Sequence, residues 1–278
     1  MKKIIYCLLV LLLFIPAVAF AEKVDEKAFS KGLALWKTRC TEYIDTFKAL
    51  SSGEADARFI NLSPLDALYD DEAVINLEEI IQPMLLRWNE SWDEDKLTPD
   101  DRKIIAALEQ DGLLIRSAEG SAFIMVDEKF LNDLVKPALS PKMQVFVGLL
   151  NNQPPYFISD AACLYSVEEM GVWAVEWEQY LVNKPIDITK EEAKNKYKFF
   201  MEYIFFSDMD NTPAFPEYNS GRMEAEWRKD LEAVAAKYPD TKTAIMTRQY
   251  LEALKSNNYR LTQAVKKNYL AQIEAMGN

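Results

Sequence analysis

The sequence predicts a mainly α protein: an irregular multi-helix domain of nine or ten helices around one central helix, about residues 167–182, with a single small β-hairpin at about 113–126. Three observations carry this expectation. Apolar residues recur at three- and four-residue steps through most of the chain, the period of an amphipathic helix. Only one pair of β-favouring runs flanks a glycine-bearing turn. The stretch from Asp160 to Leu181 opens on a capping box, Ser166 with Glu169, and then carries Met170, Ala174, Trp177 and Leu181 as one apolar stripe. Val172, Trp173, Val175 and Tyr180 widen that stripe until little polar surface is left, the pattern of a helix covered on several sides.

The first segment is of another kind. Lys2 and Lys3 precede an apolar run from Ile4 to Ile15, Pro16 interrupts it, and Ala19-Phe20-Ala21 places small residues at the recognition positions of a leader peptidase. Residues 1–21 therefore read as a secretory signal peptide cleaved after Ala21, and Cys7 leaves with it. The apolar run is shorter than a membrane span requires. Residues 22–278 are expected to form a single mainly helical domain, exported and soluble, periplasmic or secreted, with no transmembrane segment after cleavage.

The helices follow in order. Phe29, Leu33, Trp36, Cys40, Tyr43, Phe47 and Leu50 mark a first long one, which Ser51-Ser52-Gly53 is expected to end. Ser63-Pro64 supplies a cap and a first-turn proline for a short helix to Tyr69. Asp70 and Asp71 cap the next, carrying Val74, Leu77, Ile81, Met84 and Trp88, with Pro83 expected to kink or split it. Trp88 and Trp92 lie one turn apart and read as core, and the acidic run Asp93-Glu94-Asp95 reads as solvated surface. Thr98-Pro99 starts a helix that stops at Gly112, and the hairpin runs Leu113–Arg116 and Ala122–Val126. Asp127 and Ser140-Pro141 open two further helices, and the central helix ends at Asn183-Lys184-Pro185. Thr189 with Glu192 reads as a second capping box. After the long stretch Ser207–Gly221, which shows no regular pattern, three helices are expected: from Arg222 to Tyr238-Pro239, about Thr241–Lys255, and Arg260–Met276.

Composition restricts function. With 32 basic against 44 acidic residues the chain carries −12 at pH 7, and loss of Lys2 and Lys3 with the leader makes it more acidic still. Nucleic acid is not expected as a partner, because binding a phosphate backbone needs an excess of Lys and Arg. There is no histidine. That removes Ser-His-Asp and Cys-His catalysis and histidine-bearing metal sites, leaving carboxylates, tyrosines, lysines, oxygen-bound metals, or binding alone. Cys40 and Cys163 remain after cleavage, where disulfides persist. Two arrangements fit: one bridge, stabilising by roughly 4–5 kcal/mol in the chain-entropy picture, or two buried free thiols.

Two places are candidates for a site. In Ser207–Gly221, Asp208, Asp210 and Thr212 stand at alternate positions, a spacing that offers oxygens to calcium, although Pro213 and Asn219 occupy places where an EF-hand needs glycine and glutamate. Asx-type turns explain the same residues. Asn211, Phe215, Tyr218 and Arg222 would complete a ligand pocket there, with Trp173 as a further aromatic contact. On the central helix, Glu169, Trp173, Glu176 and Tyr180 share one face, two carboxylates with two aromatics, the materials of glycan cleavage. The two acids are about 10 Å apart along the axis, and Glu169 is also the cap. The leading expectation is a non-catalytic binding protein of the cell envelope, with an envelope protein or glycan as partner and no required cofactor. A carboxylate-dependent cell-wall glycan hydrolase is the alternative, and a calcium-stabilised binding protein a third.

Overall fold

The computed structural model describes residues 23–68, 71–91, 97–118, 120–154, 158–159, 161–183 and 185–276. Residues 1–21, read above as a signal peptide, Trp92 and the acidic run 93–95 lie outside the described residues. Twelve α-helices occur among those described: α1 (Glu26–Lys48), α2 (Ser52–Asn61), α3 (Pro64–Leu68), α4 (Glu72–Ser91), α5 (Pro99–Gln110), α6 (Glu128–Val135), α7 (Pro141–Asn151), α8 (Val167–Val182), α9 (Asp187–Phe206), α10 (Ala225–Lys237), α11 (Lys242–Lys255) and α12 (Gln263–Met276). The expected hairpin is β1 (Leu113–Ala118) paired antiparallel with β2 (Ser121–Val126), Leu113 opposite Val126. A two-residue pair, β3 (Ile158–Ser159) with β4 (Ala162–Cys163), was not expected.

The hairpin leans on helices, as so small a sheet must. Its β2 strand packs on α4 and its β1 strand on α5, and the Ile124 amide donates to the Glu78 carboxylate at 2.8 Å. Gly112 makes the turn into it possible. Its φ is +75°, and a Cβ there would fall 2.1 Å from a Phe130 ring carbon, so no side chain fits.

The central helix is α8. Met170, Ala174 and Trp177 are fully buried, and helices α7, α9, α10 and α11 all pack against it. Ser166 and Glu169 form the expected capping box, the Glu169 carboxylate accepting from both the Ser166 amide and hydroxyl at 2.8 Å. Around it, one continuous apolar core reaches from Phe29 in α1 to Ile273 in α12. No helix of the described residues is long and apolar enough to cross a membrane.

Two expectations need correction, and two that were left open are narrowed. Ser51-Ser52-Gly53 does not simply end α1: Ser51 and Glu54 form a capping box that opens α2. Pro83 sits inside α4 without dividing it. Thr189 is not a cap but a fully buried residue within the first turn of α9, its hydroxyl 2.6 Å from that of Tyr180 and donating to the Ile186 carbonyl. Cys40 and Cys163 are not bridged; both are free thiols. Cys40 is buried on α1, where desolvation first and then the charges of Asp71 and Asp111 push its pKa up to about 12. Cys163 instead lies at β4, its sulfur 3.6 Å from that of Met170 on α8.

Candidate functional site

The Ser207–Gly221 stretch is irregular but firmly held. Helix α9 leads into it through the aromatic run Tyr203 to Phe206, and its last carbonyls are taken by partners from other helices. The Trp227 indole donates to Ile204 O at 2.7 Å, and the Tyr250 hydroxyl donates to Phe205 O. The loop then closes on itself: Ala214 N donates to Ser207 O at 2.8 Å, and the Ser207 hydroxyl to Thr212 O at 2.9 Å. Thr212 turns inward, its hydroxyl accepting from the Cys163 amide at 3.0 Å, while Asn211 N donates to Ala161 O. The alternate oxygens proposed for calcium thus part company: Asp208 and Asp210 are exposed and Thr212 faces β4. Among the described residues no three carboxylate or thiol side chains converge on a point that would hold a metal ion.

From Pro216 the chain makes a single 3-10 turn, Glu217–Asn219, and two residues in the left-handed region, Ser220 (φ 56°) and Gly221 (φ 67°). These deliver Arg222 into an antiparallel bridge with Arg260, which is why α10 begins at Ala225 and α12 at Gln263 rather than at the arginines themselves. The opposite side of the bridge comes from the α11–α12 turn, where Asn258 (φ 53°) and Tyr259 (φ 58°) are again left-handed. For residues other than glycine that conformation costs about 1–2 kcal/mol each. Hydrogen bonds hold it: Met223 N donates to Tyr259 O at 2.8 Å, Tyr259 N to Leu254 O at 2.7 Å, and the Asn219 and Asn257 side-chain amides donate to the carbonyls of Arg222 and Arg260.

Tyr218 stands on this frame, 83% exposed. It forms part of the wall of two cavities. One, of about 580 Å³, is lined by Asp208, Asp210, Phe215 and Tyr218 from the loop together with Leu261 and Lys266. The other, of about 600 Å³, is lined by Tyr218, Asn219, Arg222, Glu224, Arg228, Asn258 and Tyr259. The Arg228 guanidinium lies 4.5 Å from the centroid of the Tyr259 ring, a cation–π contact that fixes its direction. Desolvation and then the neighbouring Glu224 carboxylate raise the pKa of the Tyr218 phenol. Of the loop residues named from sequence, Asp208, Asp210, Phe215, Tyr218 and Arg222 are gathered here; Asn211 is exposed on the loop but lines neither cavity. Arg228, Asn258, Tyr259, Leu261 and Lys266 were missed, because they reach the site from α10, α12 and the α11–α12 turn. The one signal for them was the turn sequence Asn257-Asn258-Tyr259-Arg260.

The α8 candidate is arranged differently. Glu169 is occupied by its cap. Trp173 is 9% exposed and packs edge-on against Tyr165 and, tilted, against Phe200, and Tyr180 is equally buried against Phe146 and Thr189. Neither ring presents a face on which a sugar could stack. Glu176 is half-buried, with its Oε2 sealed from solvent and no hydrogen-bond partner among the described residues, and desolvation raises its pKa. A further cavity of about 510 Å³ opens beside the start of α1, but there the Asp101 carboxylate holds Arg87 and Asp100 holds Lys103.

No family model, curated protein or solved structure matches this chain.

Proposed function

We propose that this chain is an exported, non-catalytic binding protein that engages an envelope component through the face around Tyr218. The observation that carries the reading is a large aromatic side chain, 83% exposed, set between two cavities on a hydrogen-bonded backbone that includes strained left-handed residues. Aromatic and arginine side chains on a rigid frame are the usual energetic centres of binding surfaces. Strain held in a folded state accumulates at functional positions. Export rests on the leader pattern of residues 1–21, and the excess of acidic residues keeps such a protein dispersed outside the cell.

A photo-crosslinking amino acid placed at Tyr218 tests the reading in the native envelope, with the same group at Lys31 on α1 as control. A discrete adduct from position 218 and none from position 31 is the expected result. Absence of an adduct at 218, from protein shown to be exported with its leader removed, refutes it.

A second reading keeps Glu176 as a general acid in glycan cleavage, favoured by its sealed, unpartnered oxygen and raised pKa. Glu176→Gln separates the two. A hydrolase loses cell-wall cleavage on that substitution, whereas a binding protein keeps its Tyr218 adduct.

A further inference from the structure

We propose that the cavity between Tyr218 and the α11–α12 turn is an oxyanion site, built to take a carboxylate or phosphate group of the ligand through Arg222 and Arg228. The inference deepens the binding reading and rests on it.

Charge is the first argument. The chain as a whole carries −12, yet arginines gather at this one bridge. Arg222 and Arg228 line the cavity, and Arg260 lies directly across the bridge from Arg222. Arg260 itself is exposed and is not part of the cavity wall, so the two guanidinium groups that face the cavity are those of Arg222 and Arg228. Only one carboxylate lines the cavity, that of Glu224, and it is drawn toward the Tyr218 phenol. Arg228 reaches Glu232 only at 3.9 Å and is oriented instead by the Tyr259 ring.

Geometry is the second. The Arg222 and Tyr259 backbones are locked by the bridge and by the Met223–Tyr259 hydrogen bond, so the guanidinium of Arg222 starts from a fixed base. Ala225, in the first turn of α10, lines the same cavity, and its N-cap residue Glu224 makes no side-chain cap bond. First-turn amides left without a cap add partial positive charge on the side from which an anion would arrive. A planar guanidinium fork suits the two oxygens of a carboxylate or phosphate, which sets Arg apart from Lys at such a place. The exposed Tyr218 ring beside it would cover the ring of a sugar or aromatic body that bears the anion.

The test is titration calorimetry on the mature full-length protein at pH 7 and constant ionic strength, with inorganic phosphate and with D-glucuronate as separate probes up to ~10 mM. Saturable binding of at least one probe is expected. Arg222→Ala and Arg228→Ala should each weaken it at least about tenfold, Arg222→Lys should fall between, and Lys103→Ala on the far α5 should leave it unchanged. Binding of phosphate alone assigns a phosphate source, and of glucuronate alone a uronate source. Thermal melts confirm that each variant is folded, and Arg222→Lys serves if Arg222→Ala is not. No saturable binding of either probe, or losses no larger than in Lys103→Ala, overturns the proposal. A persistent Tyr218 adduct alongside that negative result would show that the oxyanion inference fails while the binding face stands.

Discussion

Glu178 offers the strongest test of how α8 organises the fold. It is 6% exposed, and its two carboxylate oxygens accept from the amides of Lys242 and Thr243 at 2.7 Å each, while Thr241 takes the amide of Ala244. Three successive first-turn amides of α11 are therefore satisfied, two of them by a side chain of α8. Helix starts buried without such partners are costly. Hydrogen bonds to a charged acceptor are worth about 1.5–3 kcal/mol each, and Glu178→Ala removes two of them while leaving both buried amides without a partner. Glu178→Ala should thus destabilise by about 3–5 kcal/mol, which for a domain of this size lowers Tm by roughly 6–20 °C. Glu178→Gln keeps one acceptor and turns an NH2 toward the other amide, so about half the loss is expected. Urea denaturation followed by far-UV circular dichroism gives both values. A Glu178→Ala variant within about 1 kcal/mol of the parent, or a Gln variant as damaged as the Ala one, would refute the reasoning.

Other substitutions probe separate parts of the structure. Gly171→Ala places a Cβ 2.5 Å from Val234 Cγ2 where α8 meets α10, and should destabilise by about 1–3 kcal/mol; Val234→Ala in the same chain should recover part of this in a double-mutant cycle. The raised pKa of Glu176 means that the native state holds its proton to higher pH than the unfolded chain does. Its contribution to stability is then fully present below the unfolded pKa of about 4.3 and is lost as pH rises through the folded value. Glu176→Gln should accordingly gain in Tm over the parent between about pH 4 and 7, and a flat difference across that range would sink the idea. Asn258→Gly relieves a left-handed residue and should stabilise by about 0.5–1 kcal/mol in the same urea assay. In native protein lacking residues 1–21, thiol titration should find one accessible thiol, Cys163, and a second, Cys40, only after denaturation; no thiol in the denatured, unreduced protein would indicate a bridge.

Much of the fold was legible because its signals are local. Ser166 with Glu169, Thr98 before Pro99, Asp127 and Ser140 all cap the helices read from them, since capping depends on residues within one turn. The failures came where a local signal had a competing use. Gly53 resembles a terminator, yet the capping box of Ser51 and Glu54 outweighs its low helix propensity and α2 forms. Thr189 and Glu192 have capping spacing, but burial of Thr189 against Tyr180 decides the matter. The candidate site was half legible for the same reason. Tyr218 lies in the irregular stretch Ser207–Gly221, which length alone made conspicuous, and Arg222 directly follows it. Arg228, Tyr259 and Lys266 belong to other elements, and only tertiary packing brings them to the cavities.

The positions of these residues follow from the central helix. Through Glu178, α8 fixes the start of α11, and that helix, which ends at Lys255, is followed after two residues by the left-handed pair Asn258 and Tyr259 that supports Arg228 and receives Met223. The neighbouring α9 packs along α8 and delivers Phe205 and Phe206 to the same end, where Tyr250 of α11 stacks on Phe205 with ring centroids 4.2 Å apart. Two helices that pack on one buried helix are thus joined by aromatic packing, and the strained turns that follow them are tied to each other by the Arg222–Arg260 bridge and the Met223–Tyr259 hydrogen bond. The site can keep unfavourable left-handed backbone because the core and these hydrogen bonds offset its cost. Changes at Glu178 or Gly171 should consequently alter how much protein is folded and leave ligand affinity of the folded fraction almost unchanged, whereas changes at Arg222 or Arg228 should do the reverse.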